Sequence, residues 1–582
     1  MRKISFAVLL ILLLLLVALP VFSEETEVLT IDDYRYSILE DGTVSIVEYT
    51  GSSEDVVIPS DIDGHIVSTI DRGAFNNNET IKNVTIPDSV ITVLGNPWQC
   101  CKSLQSFKVS SENSSLAVID GVLFEKSEKK LLCYPKGKSQ TSYKIPNGIQ
   151  IIGEKAFYFC DRLTSVTIPD SVTEIGRYAF HICRGLTKID LPESIVVIEE
   201  GAFASTNLVS VTIPSKVTEI SDYTFELSKL SSIVLPEGLI SIGTEAFSSC
   251  DLWKVTIPEN VVNIGDLAFA YCSKLQEINL PDSLRTIGSN PFCSCDMLAT
   301  IHLSTNHPVL ELKEDVLFDK VENRLISFPN WFGVKTIQFN DPSDPDVVWK
   351  TFNGDSYTIP DGTKTVGDYA FTSCYGLYGI SIPSSVTKIG KKAFKYCEYL
   401  KEVEIPIGLV EIDDYAFQDS GLTNITLSST VLRFGINPFK NCFDLIQIQI
   451  ASENPHLQVV DGALISNDKG ELISYLPGTV HAAFTVPGFV EIIKQDAFNN
   501  CHNLTTVTIG NHVTIIEASA FYGCSGLISV TVPESVSEIG RSAFGNCESL
   551  DNVVVISGSY GEQYCIDNGL PYSFSDEYDW LK

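Results

Sequence analysis

The sequence is poor in positive charge. Its 582 residues include 40 Lys and Arg against 73 Asp and Glu, so the formal net charge is −33. Such an acidic surface repels phosphate backbones and anionic lipid headgroups. We therefore expect no nucleic acid among the partners and no binding to an anionic membrane surface.

Motifs that carry catalysis are also missing. No two glycines are spaced as G-x-G, and G-x-x-x-x-G-K, H-E-x-x-H and G-x-S-x-G do not occur, which excludes the usual phosphate loops, zinc-protease helices and nucleophile elbows. Of eight histidines the closest pair is His302, on a predicted strand, and His307, in the loop after it. The sequence predicts no enzyme, no cofactor and no metal site, although scattered acids leave a hydrolase as a third alternative.

Only one long apolar run is present, at residues 4–19. Arg2 and Lys3 precede it, and Pro20 and a small-residue stretch ending at Ser23 follow it. This order is typical of a secretory signal peptide, here cut after Ser23, with an uncleaved membrane anchor as the alternative. We expect a secreted, extracellular or cell-surface protein that does not insert in the membrane once the signal is cleaved.

One phrase recurs along the chain. VTIPDSVTEIGRYAF, at 166–180, returns as VTIPSKVTEISDYTF, VTIPENVVNIGDLAF and ISIPSSVTKIGKKAF. The aromatic near its end recurs every 22 or 23 residues, at Phe157, Phe180, Phe203, Phe225, Phe247, Phe269 and Phe292. So constant a period means that each copy forms one coil of a solenoid.

Each copy predicts a strand followed by an inward-facing turn back. Residues 163–168 alternate apolar and polar side chains, and Pro169 ends that strand because it has no backbone donor. Gly176 is expected to ease the bend that follows. The predicted inward-facing residues of this copy are Val172, Ile175, Ala179, Phe180 and Cys183.

Three copies are replaced by Asn-Pro-aromatic, at 96–98, 290–292 and 437–439. Each is followed by a longer coil that we interpret as hairpin-bearing, near 104–145, 298–358 and 445–486. The predicted domains are a signal peptide (1–23), an N-terminal β cap (24–65), a solenoid (66–556) and a C-terminal cap (557–582). Ser559 and Glu562 have capping-box spacing, so the last cap should contain a short helix that Gly569 stops.

The sixteen cysteines follow the repeat. Twelve stand three residues after the repeat aromatic, so neighbours should be about 4.8 Å apart, further than the roughly 3.5–4.5 Å between disulfide Cβ atoms. We interpret them as reduced, buried thiols. If any bridge exists, the off-column residues Cys100, Cys133, Cys293 and Cys565 are the better candidates.

Candidate binding residues lie on the exposed strand face and in one insertion. On a face of small polar side chains, Trp253 stands out, followed by Lys254 and flanked by Gln276, with Tyr378 further along and His302 on the same face. Exposed aromatics on such a surface are favoured anchors for proteins or sugars, although Trp253 covering a neighbouring coil is an equal alternative. The insertion, 333–358, carries Trp349 and Phe352 and makes the gap from Phe292 to Phe371 79 residues long, against 59 for the other two gaps.

The pattern L-x-x-V-x-I-P-x-x-V-x-x-I-G-x-x-A-F-x-x-C, with D-G-V-L-F coils and the closing GSYGEQYCIDNGLPY, resembles the BspA-type leucine-rich repeat family over nearly all of the mature chain. Gly561 departs from it, because Ala is usual there. The resemblance implies an α/β-type, mostly β solenoid: a curved right-handed superhelix with a parallel sheet on its concave face. It also implies a surface adhesin or binding protein.

We expect a monomer that binds a host or matrix protein or a glycan through the concave sheet and the insertion. A passive envelope scaffold, whose function is its length and rigidity, is the alternative from a different class.

Overall fold

The computed structural model describes residues 27–330, 334–339, 348–352 and 355–575, without the side chains of 334–339 and 348–352. The chain forms a mostly β solenoid of about 22 turns, with coils of about 23 residues and almost no helix, which confirms the predicted fold. It divides into two compact units, Met1–Gly185 and Leu186–Lys582, each described by itself. The predicted signal peptide lies outside the described residues, among which no helix is long and apolar enough to cross a membrane.

Each coil has three sides. One coil of the second unit serves as the example. Its first side is strand Ser210–Thr212, its second side is strand Glu219–Ile220, and a turn segment forms the third side. The side chains that point inward are at most 5% exposed: Val211, Ile213, Val217, Ile220 and Phe225. The residues predicted to face inward in the Val172–Cys183 copy are buried in the same way.

In the first unit the strands fall into four groups. The N-terminal sheet comprises Leu29–Ile31, Tyr34–Ile38, Val44–Tyr49, Asp61–Ile62, His65–Ile70 and Thr92–Val93. The first side comprises Asp55–Val57, Asn83–Ile86, Ser106–Val109, Ser142–Lys144 and Ser165–Thr167. A hairpin-bearing coil contributes Leu116–Ile119, Val122–Glu125 and Lys130–Cys133, and parallel strands Ile151–Ile152 and Glu174–Ile175 continue from it.

The second unit repeats this plan. Its first side comprises Ser210–Thr212, Ser232–Val234, Lys254–Thr256, Glu277–Asn279, Thr300–His302, Asp355–Thr358, Leu377–Ser381, Glu402–Glu404, Asn424–Leu427, Gln447–Ile450, Ala483–Thr485, Thr506–Thr508, Ser529–Thr531, Asn552–Val555 and Tyr572–Phe574. Its second side comprises Val197–Ile198, Glu219–Ile220, Ser241–Ile242, Asn263–Ile264, Thr286–Ile287, Thr365–Val366, Lys388–Ile389, Glu411–Ile412, Arg433–Phe434, Ile492–Ile493, Ile515–Ile516 and Glu538–Ile539. Its hairpin-bearing coils contain Leu310–Lys313, Val316–Asp319 and Arg324–Ser327, then Leu457–Val460, Ala463–Ser466 and Glu471–Tyr475.

The third side is also hydrogen-bonded between coils. Phe225 N donates to Ala246 O at 2.9 Å, and the residues two before and two after it donate to the next coil in the same way. In the predicted copy, the left-handed residues are Tyr178 and Ile182, with φ of 54° and 58°. Gly176 does not have a positive φ; an added Cβ there would stand 2.9 Å from Ile152 O. Gly176 is therefore needed because two backbones pass close to each other here. The left-handed backbone conformations of this copy fall on residues other than glycine.

Aromatic rings and thiols form two internal columns. Phe225 and Phe247 stack with centroids 5.6 Å apart and planes at 4°. Cys272 Sγ donates to Phe247 O at 3.1 Å, and burial raises the pKa of the Cys250 and Cys442 thiols to about 12. All sixteen cysteines are free thiols, so the column acts as small apolar side chains with a weak donor.

The Asn of each Asn-Pro-aromatic motif clamps the stack across a hairpin-bearing coil. Its Nδ2 donates to a backbone carbonyl of the coil beyond the hairpin, and its Oδ1 accepts from the backbone N–H of the motif's own aromatic. The clamps are Asn96 to Lys155 O (2.8 Å), Asn290 to Tyr369 O (2.8 Å) and Asn437 to Asp496 O (2.7 Å). Buried asparagine side chains thus supply hydrogen bonds between coils at the points where a hairpin-bearing coil interrupts the regular backbone hydrogen bonding.

A short helix, Tyr560–Asn568, closes the C-terminal end, as predicted. Ser559 Oγ accepts from Glu562 N at 3.3 Å, and Gly569 adopts the left-handed conformation with φ of 65°. A Cβ added at Gly561 would come within 3.2 Å of Val532 Cγ1. An alanine here would therefore require Val532 to move by a few tenths of an ångström.

Candidate functional site

Four of the predicted binding residues meet on three neighbouring strands of the second unit. Lys254–Thr256, Glu277–Asn279 and Thr300–His302 pair in parallel. The middle residue of each strand points inward, so the first and third residues face solvent. The exposed surface of this ladder therefore consists of Lys254, Thr256, Glu277, Asn279, Thr300 and His302.

Trp253 precedes the first of these strands and is 54% exposed. Its backbone O accepts from Gln276 N at 2.9 Å, which places the exposed Gln276 directly beside it in the next coil. More than half of the Trp253 surface is thus open to solvent, and the rest lies against the solenoid. A large apolar surface with one donor is available at this corner.

A chain of interacting side chains, Lys254, Glu277 and His302, crosses the ladder from the residue that follows Trp253. Lys254 Nζ is 2.5 Å from Glu277 Oε1, and His302 Nε2 is 3.2 Å from Glu277 Oε2. Hydrogen bonds from Lys254, and then from His302, hold the pKa of Glu277 below its ordinary value. The carboxylate therefore stays ionised and holds these two side chains on the exposed face of the ladder.

The corner position that Trp253 occupies is exposed and apolar or aromatic in five coils of this unit, each time directly after a buried Leu. These residues are Val209 (48% exposed), Trp253 (54%), Tyr378 (39%), Ile446 (66%) and Ile528 (48%). In the coils between them the same position is polar, as at Ser231, Gln276 and Lys401, so the five side chains are separate and do not form one continuous patch.

Tyr378 does not meet the Trp253 group. It lies on strand Leu377–Ser381, which pairs with Asp355–Thr358 in a separate sheet. Its ring stacks on Tyr399 of the following coil, with centroids 5.0 Å apart and planes at 10°. Both rings are about two-fifths exposed, at 39% and 41%, so they form a second aromatic surface.

The predicted insertion residues Trp349 and Phe352 lie on strand Val348–Phe352, which pairs antiparallel with Val334–Phe339. Their side chains lie outside the described residues. The binding role predicted for the insertion therefore stays a prediction.

Sequence reasoning missed a notch at the same corner of the second unit. Its lining residues are Tyr396, Glu398, Asp419, Ser420, Gly421, Asn441, Phe443 and Asp444. Phe417 and Phe439 are only 22 residues apart, and Ser420 replaces the repeat cysteine there. The same two signals occur from Phe203 to Phe225 and from Phe225 to Phe247, so this coil differs only in that both of its neighbours are a residue longer at the corner.

His307, one of the closest histidine pair in sequence, was likewise not recognised. It is completely buried and bonds to backbone groups, whereas His302 is exposed on the ladder. In the part of the chain that the structure describes, no group of three or more His, Cys, Asp or Glu side chains is placed to hold a metal ion.

Comparison with known structures gives several bacterial repeat proteins. A leucine rich cell surface protein from Faecalibacterium prausnitzii is 22% identical, over 94% of this chain and 98% of its own, with a TM-score of 0.26. A leucine-rich repeat protein from Bacteroides ovatus is 24% identical over 80% and 99%, with a TM-score of 0.31. One from Eubacterium ventriosum is 21% identical over 75% and 93%, with a TM-score of 0.40.

No curated protein matches the chain. The family model described as "BspA type Leucine rich repeat region (6 copies)" matches residues 48–131, 132–251, 218–339, 347–460 and 481–568. These matches cover most of the sequence and the solenoid built from it. The chain belongs to the BspA-type leucine-rich repeat family.

Proposed function

We propose that this protein is a secreted or surface-exposed recognition protein, which binds a host or matrix protein or a glycan in the manner of an adhesin. The observation that supports this role most directly is the 54% exposed Trp253 beside the Lys254–Glu277–His302 chain. A rigid aromatic next to fixed charged groups is the usual composition of a binding hot spot. The proposed role is non-enzymatic and needs no cofactor.

The ladder is suited to this role because its backbone is already ordered. Three parallel strands fix the spacing of the exposed side chains, and the residue at the centre of each strand is anchored in or against the core. Little conformational entropy is then lost when a partner docks. The proposed partner covers Trp253 and Gln276 and makes polar contacts with Lys254 and His302.

The test is a binding screen of residues 24–582 against matrix proteins and glycans at physiological salt. Trp253→Ala is measured beside wild type, with Tyr560→Ala, which removes a 45% exposed aromatic on the C-terminal helix, as the matched control. We expect the Trp253 substitution to weaken a genuine ligand by about 30-fold or more, the loss typical of a hot-spot residue. The control should leave the affinity unchanged.

A ligand that is indifferent to Trp253→Ala contradicts the ladder as the binding surface. Deletion of 334–352, which leaves the core strand Asp355–Thr358 in place, then tests the insertion: loss of affinity assigns binding to it, and retained affinity counts against it. If nothing binds, the alternative is a passive envelope scaffold, for which the regular stack of about 22 turns is the supporting observation.

A further inference from the structure

The notch in the second unit arises because one coil is a residue short at its corner. From the buried Phe to the buried Leu there are six residue steps in the coils on both sides, Phe394 to Leu400 and Phe439 to Leu445. The coil between them takes five, from Phe417 to Leu422. Its corner is therefore drawn in, and the neighbouring corners project past it as two walls.

Gly421 makes this withdrawal possible. Its backbone N donates to Cys397 O at 3.1 Å, and an added Cβ would overlap the carbonyl of Glu398. Only a residue without a side chain allows the two backbones to come so close. The floor of the notch is therefore backbone and the small residues Ser420 and Gly421.

The two walls are aromatic. Tyr396 is 36% exposed and Phe443 is 51% exposed. On its other side, Phe443 stacks against His502 of the coil beyond the hairpin, with centroids 5.9 Å apart and planes at 18°. The Phe443 ring is thus held in place beside the notch.

The charge of the lining is negative and only partly compensated. Glu398 is exposed and makes no ion pair within the described residues. Asp419 accepts only from two amides, Gln418 Nε2 at 2.8 Å and Asn441 Nδ2 at 2.9 Å. Neutral amides orient a carboxylate without cancelling its charge.

Two lysine side chains of the protein itself already contact the lining of the notch. Lys401 Nζ lies 3.0 Å from the Cβ position of Gly421 and pairs with Asp444 at 3.2 Å, bridging one end of the notch. Lys395 Nζ lies 4.5 Å from the centroid of the Tyr396 ring. One ammonium group is thus held by a carboxylate of the lining and the other by an aromatic wall.

We propose that the notch binds a lysine or arginine side chain of a protein partner, between Tyr396 and Phe443 and against Glu398 and Asp419. Aromatic faces together with carboxylates favour a cation over the neutral hydroxyls of a glycan. The net charge of −33 favours approach of a basic segment. The notch lies in other coils than Trp253, so the assignment is independent of the ladder's role.

The test titrates the chain, residues 24–582, with the peptide acetyl-Gly-Lys-Gly-amide and its Arg counterpart, observed by ligand NMR and calorimetry. A single exposed cation site should bind with a dissociation constant on the order of 1 mM. The same peptide with Nε-acetyl-lysine, which has lost the charge, should show no binding. In a further titration, neutral oligosaccharides should not displace the lysine peptide.

Variants locate the binding. Glu398→Gln should weaken the lysine peptide about threefold, and Phe443→Ala about fivefold. The matched control Glu404→Gln, the same change at an exposed strand position of the neighbouring coil, should leave it unchanged. Lys401→Met removes the internal competitor and frees Asp444, so it should tighten binding about twofold.

Equal binding of the acetylated peptide, or equal affinity in Glu398→Gln and Glu404→Gln, overturns the proposal. So does displacement of the peptide by a neutral oligosaccharide at the same residues, which assigns the notch to a glycan. Because Lys401→Met is a surface change with the opposite expected sign, the proposal stays testable if Phe443→Ala fails to fold. None of these outcomes depends on Trp253.

Discussion

Two hairpin-bearing coils of the second unit solve one problem with different side chains. In the later coil, Asn454 Nδ2 donates to Ser428 O and Val431 O, and its Oδ1 accepts from His456 N and Leu457 N. In the earlier coil, His307 Nε2 lies 3.0 Å from Pro281 O, and its Nδ1 accepts from Val309 N and Leu310 N. Both side chains join the hairpin to the preceding coil.

The two side chains differ because His307 can take up a proton in the physiological pH range and Asn454 cannot. Because Pro281 O is an acceptor, Nε2 of His307 must carry the proton, and Nδ1 must stay free to accept. Burial lowers the pKa of His307, and the nearby Lys320 and Arg285 lower it further, whereas the Pro281 carbonyl and Asp282 act in the opposite direction. The same backbone connection is therefore sensitive to pH in one coil and indifferent to it in the other.

The largest expected effect is the loss of either connection. His307→Ala and Asn454→Ala each leave buried backbone groups unpaired, which costs about 2–4 kcal/mol. Since long repeat arrays do not unfold in two states, hydrogen exchange of the adjoining hairpin is the appropriate measurement. His307→Asn should restore protection at 310–327; if it does not, the two side chains are not equivalent.

The pH dependence comes next in size. A base whose folded pKa is depressed contributes stability above its unfolded pKa of about 6.5, and that stability is lost as the pH falls below it. The free energy of local opening at 310–327 should fall by up to about 1.4 kcal/mol per pH unit until the folded pKa is reached. His307→Asn should abolish this slope and Asn454→His should introduce it at 457–475, so an unchanged slope in either variant contradicts the mechanism.

Lys320 sharpens the comparison at a smaller scale. Its Nζ donates to His307 O at 2.5 Å, and its charge lowers the pKa of His307. In the later coil the corresponding residue is Asn467, an uncharged side chain whose Nδ2 donates to Pro455 O at 3.0 Å. Lys320→Met should cost about 0.5–1 kcal/mol at neutral pH, and it should raise the folded pKa of His307, so that the pH window in which 310–327 loses stability becomes narrower; a wider window would count against it.

The smallest effect is expected where the two coils agree. Cys295 and Cys442 donate to Phe269 O at 3.1 Å and to Phe417 O at 3.0 Å. Each Cys→Ser change keeps a donor at the same place and should alter thermal stability by less than about 1 kcal/mol, equally in both coils. Both native thiols should resist alkylation at pH 8, because burial raises their pKa. Rapid labelling of either would contradict the packed column.

The sequence allowed prediction of the solenoid, the buried positions and the C-terminal helix, because a period of 22 or 23 residues constrains the core directly. It also identified Trp253 as an outlier on the exposed face. The roles of Asn290, His307 and Asn454 were not predictable, since each depends on a backbone carbonyl brought close only when coils stack. The notch had a sequence signal, the short step from Phe417 to Phe439, but its meaning depends on the longer coils on both sides.

The asparagine clamps have a consequence for how such a chain diversifies. Asn437 closes a segment of 59 residues and Asn290 one of 79, with the same bond length to within 0.1 Å. Enlarging a closed loop from 59 to 79 residues costs only about 0.3 kcal/mol of chain entropy. Each clamp is therefore an entry point at which evolution or an engineer is able to graft new sequence while the rest of the stack keeps its register.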